Sequence, residues 1–317
     1  MNSIQVKVVS RRMEAERIAS FELARIDGGA LPPFSAGAHI DVEIRPGLVR
    51  QYSLCNDPDE THRYLIAVLR DAASRGGSVA MHDDLQVGST LRISEPKNHF
   101  PLVPAPHYLL FAGGIGVTPI LCMAERLART GARFTMHYCA RSPGHAAFAD
   151  RIALSGFAGR VHFHFDSGAA EQKLDLSAVL AQAQDALLYV CGPAGFIDFV
   201  TGAAKAAGWP AHAVHQEYFG MTPQDSSDDT AFDVRIASSG NTYRVPADQT
   251  VAQALAEHGI DIPMSCEQGV CGTCITRVLD GMPDHRDMYF SDEEKACNDQ
   301  FTPCCSRARS PLLVLDL

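Results

Sequence analysis

Apolar and polar positions change rhythm along the chain, and each rhythm predicts a different architecture. In the first block short apolar runs follow one another: Ile4–Val9, Phe21–Ile26, His39–Ile44, Gln51–Leu54, Tyr64–Leu69 and Thr90–Ser94. Asp27-Gly28-Gly29, Arg45-Pro46-Gly47 and Val87-Gly88-Ser89 separate them. Short strands with turn clusters at this interval predict an antiparallel β-barrel over residues 1–104. From 105 to 224 apolar strands such as Tyr108–Ala112, Phe134–Cys139, Val161–Phe165 and Leu187–Cys191 alternate with helical stretches such as Thr118–Arg129 and Phe196–Ala207. That alternation predicts an α/β domain on a parallel sheet. Met221 to Thr230 is polar, acidic and rich in turn formers, as a tether is, and 225–230 is its end. From 231 to 317 the pattern resets. A hairpin pairs Phe232–Ala237 with Thr242–Val245, and a helix over Val251–His258 sets Val251, Ala254, Leu255 and His258 on one face. Strands follow at Ile275–Leu279 and Leu312–Leu317. The expected chain is multi-domain: barrel, parallel-sheet α/β domain, and a small C-terminal domain.

Charge and composition exclude several classes. A net charge of −10 argues against nucleic acid, whose phosphates call for a basic face. The longest uncharged run, Tyr108 to Ala124, is broken by Gly113, Gly114, Gly116 and Pro119, so no membrane span is expected. The N-terminus carries early charges and no apolar core, unlike a secretory signal. Ten cysteines in that setting suggest reduced thiols and a metal centre. The expected compartment is the cytoplasm. No internal repeat is visible.

The metal centre has a spacing. Cys266, Cys271 and Cys274 stand at C-x4-C-x2-C within SCEQGVCGTC, with further cysteines downstream. This is the plant-type pattern for a [2Fe–2S] cluster. A structural zinc site is the alternative, but it usually pairs two C-x2-C knuckles and only one is present. Gly269 and Gly272 lie between the ligands, where the backbone must curl and a Cβ would crowd. Cys304, Cys305 and Cys297 are all available as the fourth ligand. Cys297 is the weakest, in an acidic, helix-like stretch.

Three other stretches can hold nucleotides. Arg50 and Tyr52 alternate onto one strand face, beside Ser53, and could offer a guanidinium and a phenol to one ligand; from the pattern alone a plain surface pair is the commoner meaning. Gly76-Gly77-Ser78 opens a helix and exposes N–H groups, although such a turn is often only a cap. Gly113-Gly114-Ile115-Gly116 turns a strand into a helix, with Thr118 near the cap and Pro119 in the first turn. That places a helix N-terminus at the carboxyl ends of the strands, where ligands bind in open α/β sheets; tight helix–sheet packing is the bland reading. Arg141 and Cys191-Gly192-Pro193 end two further strands on the same edge. Cys191 and Phe219 could each be simple packing.

Resemblance adds roles to these residues. RQYS followed by LCNDP is similar to the flavin motif of the ferredoxin–NADP reductase superfamily. The resemblance implies that Arg50 holds the flavin phosphate, that Tyr52 and Ser53 line the isoalloxazine with Ser53 near N5, and that Gly76, Gly77 and Ser78 form the second phosphate motif. The compact phosphate loop shows no extra adenosine-holding segment, which favours FMN over FAD. GGIGVTP and CGPAGF resemble the nicotinamide half of that superfamily, which implies NAD contacts from Gly113, Gly114, Gly116, Thr118, Pro119, Arg141, Cys191, Gly192 and Pro193. Phe219 would then cover the flavin ring. With no basic cluster near Arg141, NADH is favoured over NADPH. In the family the last ligand cysteine precedes a small or apolar residue and then Ser-Arg, which selects Cys304.

RQYSLCNDP, GGIGVTPILCMAERL, SCEQGVCGTC and FTPCCSRARSPLLVLDL together cover the chain, and their order resembles the phthalate dioxygenase reductase family. The resemblance implies the reductase component of a two-component Rieske-type aromatic oxygenase. Electrons would pass from NADH to FMN to [2Fe–2S] to the oxygenase component, with no protein nucleophile or general acid. A monomer is the default. A reductase for a carnitine-type oxygenase or cytochrome P450, a stand-alone flavin reductase, and a zinc-binding module are the alternatives.

Overall fold

The computed structural model describes residues 3–71, 76–183, 185–220, 229–264 and 266–317. Arg75, Ser265 and most of the expected tether, 221–228, lie outside the described residues. The chain divides into two compact units, Met1–Glu217 and Tyr218–Leu317.

The first unit contains both the barrel and the α/β layer. Its elements are β1 (Ile4–Ala15), β2 (Ile18–Arg25), β3 (His39–Arg45), β4 (Leu48–Ser53), β5 (Tyr64–Leu69), α1 (Gly77–Asp84), β6 (Thr90–Ile93), β7 (His107–Gly113), α2 (Val117–Arg129), β8 (Arg133–Ala140), α3 (Ala149–Ala153), β9 (Val161–Phe165), α4 (Leu176–Ala181), β10 (Leu187–Gly192), α5 (Ala194–Ala206) and β11 (Val214–Tyr218). The first six strands form an antiparallel sheet in the order β4-β3-β6-β1-β2-β5. An antiparallel bridge between Leu54 and Ile66 joins its two edges and closes the barrel. Its interior is Phe21, Leu23, Ile40, Val42, Ile66 and their neighbours.

The second sheet runs β11-β10-β7-β8-β9, with β10, β7, β8 and β9 parallel. Every residue of β7 is buried, as expected of a strand covered on both faces. The helix after it starts at Val117 rather than Thr118, following a single 3-10 turn at Gly114–Gly116. One core extends from the barrel residues Ile18, Cys55 and Leu65 into α2 and the sheet, so the two layers pack as one body.

The second unit holds β12 (Phe232–Ile236), β13 (Thr242–Val245), α6 (Val251–Ala256), β14 (Thr276–Asp280), β15 (Pro283–Asp284), α7 (Asp292–Cys297), β16 (Gln300–Phe301), β17 (Arg307–Ala308) and β18 (Leu312–Leu315). A mixed sheet in the order β13-β12-β18-β14-β16 packs its face on α6, the arrangement of a β-grasp domain. Thr250 and Gln253 form a capping box that starts α6. The helix ends at Ala256, earlier than its periodicity suggested. His258 therefore lies beyond the buried stripe and instead tilts over the Tyr243 ring, centroids 4.8 Å apart. Arg307, 5% exposed, donates to the carbonyls of Thr230, Pro246 and Gln249 and ties the entry of this unit to its last strands.

Candidate functional site

The barrel presents its phosphate-type surface where β4 meets α1. Arg50 crosses Gly77 so closely that a Cβ there would stand 2.6 Å from Arg50 Cγ. Gly76 adopts φ +80°, the left-handed turn that lets the chain enter α1 beside the guanidinium. A cation and the first N–H groups of a helix thus share one spot, a combination suited to a phosphate. Ser78 Oγ accepts from Asp71 N at 3.1 Å and donates to Asp71 O at 3.2 Å, so its hydroxyl fastens the incoming loop. Tyr52 is half-buried next to Arg50 on the same strand, and burial holds its phenol proton more tightly than usual. Ser53, 6% exposed, ends the strand.

At the carboxyl edge of the parallel sheet two glycine turns interlock. A Cβ on Gly116 would lie 2.2 Å from Cys191 O, and one on Gly113 would lie 2.6 Å from the Phe196 ring. Gly192 is equally tight, with Gly113 Cα 3.0 Å from its would-be Cβ. The packing reading of these glycines therefore holds, and it has a further result. By letting β7 and β10 approach, they set the N-termini of α2 and α5 side by side where a pyrophosphate could lie. Gly114, with φ +52° and open space around it, supplies the turn itself. Thr118 lies in the first turn of α2, near the cap as expected, with its side chain turned inward. It is 2% exposed and donates to Ile115 O at 3.1 Å, bracing the turn from inside. Pro119 is buried behind it, Pro193 precedes α5, and Arg141 is exposed at the end of β8.

Cys191 is fully buried, and burial, followed by the nearby Glu217 carboxyl, pushes its thiol well above the ordinary range. Glu217 is a site residue the sequence reading passed over. Burial raises its carboxyl to about 8, while a hydrogen bond from Ser53 pulls it back. Its Oε2 has no hydrogen-bond partner among the described residues. Ser53, Cys191 and Glu217 thus converge from β4, β10 and β11. Little signal marked it in the sequence, because Glu217 follows His215 and Gln216 in a largely polar strand, VHQEY. Phe219 belongs to the second unit and is 40% exposed.

In the second unit Cys266, Cys271, Cys274 and Cys304 are all buried. Their thiols interact as Cys266 with Cys271 and Cys274 with Cys304, and Cys266 also meets Cys304. Cys271 first, then Cys304, holds Cys266 low, and Cys304 does the same for Cys274. No group of three or more His, Cys, Asp or Glu among the described residues has the geometry for a single metal ion. Two pairs of thiols suit two irons instead, so the donor set fits a [2Fe–2S] cluster. Gln268 N and Thr273 N point at Cys266 Sγ and Cys271 Sγ at 3.4 and 3.5 Å, the kind of N–H···S contact that tunes such a centre. Cys297 is exposed and donates to Glu293 O within its own helix. Cys305 turns toward Thr302, 3.3 Å away.

Gly269 and Gly272 have φ of +69° and +71°, as the tight curl demands. The crowding is against protein: added Cβ atoms would stand 2.4 Å from Cys305 Sγ and 2.4 Å from the Tyr289 ring. The glycines therefore let the loop lie on its own domain.

Fold and site define a class: an iron–sulfur flavoprotein reductase with flavin, nucleotide and cluster modules on one chain. Residues 234–309 match the 2Fe-2S iron-sulfur cluster binding domain. The chain is 55% identical over 316 residues to a vanillate O-demethylase oxidoreductase of Pseudomonas sp., covering 99% of this chain and 100% of that one. It is 40% identical over 317 residues to phthalate dioxygenase reductase of Burkholderia cepacia, covering 99% and 97%. A solved phthalate dioxygenase reductase, described as a modular structure for electron transfer from pyridine nucleotides to [2Fe–2S], superposes with a TM-score of 0.79 at 39% identity, covering 100% of this chain and 98% of that one.

The chain belongs to the phthalate dioxygenase reductase family. It is an electron-transfer oxidoreductase, the reductase component of an oxygenase system, and its cofactors are FMN, NADH and a [2Fe–2S] cluster.

Proposed function

We propose that this reductase serves a Rieske-type aromatic oxygenase in the cytoplasm, with a vanillate-demethylating system as the acceptor, and that it works as a monomer. The observation that carries this is the end-to-end identity with a vanillate O-demethylase oxidoreductase. Arg50, with Gly76, Gly77 and the first turn of α1, is assigned to the flavin phosphate. Tyr52 and Ser53 are assigned to its ring and Phe219 to the ring's outer face. Ser78 supports the phosphate loop through Asp71. Gly113, Gly114, Gly116, Gly192 and Pro193 shape the nucleotide edge, Thr118 and Pro119 brace it, Arg141 reaches the adenosine side, and Cys191 lies against the nicotinamide. Cys266, Cys271, Cys274 and Cys304 hold the irons.

When bound, the flavin converts a two-electron hydride donor into a source of single electrons, which the cluster can accept only one at a time. The residues bind, orient and exclude water. Ser53 and Glu217 hold a proton within the closed site, and the buried neutral Cys191 presents an uncharged wall to the ring of the donor. NADH-driven turnover with purified oxygenase components tests the assignment. Vanillate demethylation by the vanillate system, and none of the phthalate product with its counterpart, is the expected result. Efficient coupling only to the phthalate oxygenase, or to a P450, reassigns the acceptor.

A further inference from the structure

Behind the cluster ligands lies a buried polar chain that neither the nucleotide chemistry nor the four-thiolate pattern requires. Thr302 and Ser306 are fully buried and Asp287 is 2% exposed. Thr302 Oγ1 and Ser306 Oγ are 2.9 Å apart. Ser306 Oγ accepts from Arg286 N at 3.1 Å and donates to Asp287 Oδ1 at 3.4 Å. The other Asp287 oxygen accepts from Tyr289 N and Phe290 N at 3.1 and 2.9 Å, which fixes the carboxylate on the backbone beside the cluster loop.

Cys305 ends this chain. Its Sγ lies 3.3 Å from Thr302 Oγ1 and 3.9 Å from Ser306 Oγ. The same sulfur is the atom that a Cβ on Gly269 would strike, and the Gly269 carbonyl accepts from Met288 N at 3.0 Å. The thiol is therefore wedged under the turn between Cys266 and Cys271, held by hydroxyls on one side. Its S–H also donates to the Thr302 carbonyl at 3.8 Å. A side chain that only filled space would need no ring of oxygens, and a ligand would have to leave them.

We propose that Cys305 is a positioning residue for the cluster: anchored on Thr302 and Ser306, it braces the Gly269 turn and so keeps the adjoining Gln268 N–H aimed at the ligand sulfur of Cys266. This rests on the [2Fe–2S] reading of the four cysteines. Hydrogen-bond donors near ligand sulfur favour the more negative, reduced state and so raise the reduction potential. No bond is made or broken at Cys305, and one electron enters and leaves the cluster as before.

The test is a mediator-based redox titration of the full-length flavin-loaded protein, followed by electron paramagnetic resonance, with iron content measured alongside. Cys305→Ala is expected to keep its iron and show a more negative midpoint than the parent. Cys305→Ser, which keeps a hydroxyl donor, should move back toward the parent value. Thr302→Ala, which leaves both sulfurs in place, should shift the midpoint the same way by less, and it serves if Cys305→Ala does not fold. A parent-like midpoint in the variants overturns the proposal. So does loss of iron from Cys305→Ala with retention in Cys304→Ser, which would make Cys305 the ligand. A parent protein without iron would instead sink the cluster reading itself.

Discussion

The Ser53 hydroxyl hydrogen-bonds the carboxyl of Glu217, linking the end of a barrel strand to the last strand of the nucleotide sheet. Burial keeps that carboxyl protonated up to about 8, and Ser53 opposes the shift. A proton is therefore stored beside the place where the flavin and nicotinamide rings must meet. NADH-driven flavin reduction, measured by stopped flow, should change with an apparent midpoint near 8, and Glu217→Gln should remove that midpoint. Ser53→Ala should slow flavin reduction and move the midpoint upward, with the cluster spectrum intact. Unchanged rates and an unchanged pH profile in both variants would remove this role.

Two glycines at the nucleotide sites should respond differently to the same methyl group. At Gly116 the obstacle is backbone, Cys191 O, so Gly116→Ala must push two turns apart and should cost about 1–3 kcal/mol of stability. At Gly77 the obstacle is the long side chain of Arg50, which can swing aside. Gly77→Ala should melt close to the parent yet bind FMN more weakly, because the guanidinium leaves its place. Thermal melts and flavin titration separate the two cases.

The fourth cluster ligand can be assigned by absorbance. Cys304→Ser is expected to lose the [2Fe–2S] bands while retaining NADH oxidation by a dye that accepts electrons from the flavin. Cys297→Ser, altering an exposed thiol on its own helix, should leave the spectrum unchanged. Survival of the bands in the first variant would show that another cysteine has taken the position.

Acid should act on the first unit through a stack of imidazoles. His137 is 6% exposed, lies parallel to His162 and His164 with ring centroids 5.2 Å from each, and places Nδ1 3.0 Å from His164 Nε2. Burial, then His164 and His162, pushes His137 down to about 3. The unfolded chain takes up this proton near pH 6.5 and the folded one refuses it until about 3. Stability should therefore fall as pH drops through that window, by at most about 1.4 kcal/mol per pH unit for this group. His137→Phe should flatten that limb of a stability-against-pH curve. An identical slope in parent and variant would place the acid sensitivity elsewhere.

The cluster loop was legible because ligand spacing is a local property: three cysteines in ten residues already dictate the curl, and Gly269 and Gly272 mark where it turns. The barrel and the parallel sheet were legible from apolar rhythm, with strand limits displaced by a few residues. What stayed hidden depends on distant strands meeting. Glu217 looked like one of several polar residues in the strand VHQEY, and only closure of β4 against the sheet gives it Ser53 as a partner. Thr118 read correctly as lying near a helix cap, but the bond of its hydroxyl to Ile115 O depends on the turn before the helix and could not be read from the sequence. His162 and His164 alternate on one strand in plain view, yet their neighbour His137 comes from another. The reason Gly269 has no side chain also lay far along the chain, in Cys305.

Arg307 reaches back to Thr230, Pro246 and Gln249, so the ferredoxin unit secures its own beginning with residues from its own end. A carrier fastened in this way closes on itself: the loop that would carry the irons hangs from a frame whose first and last strands are locked together.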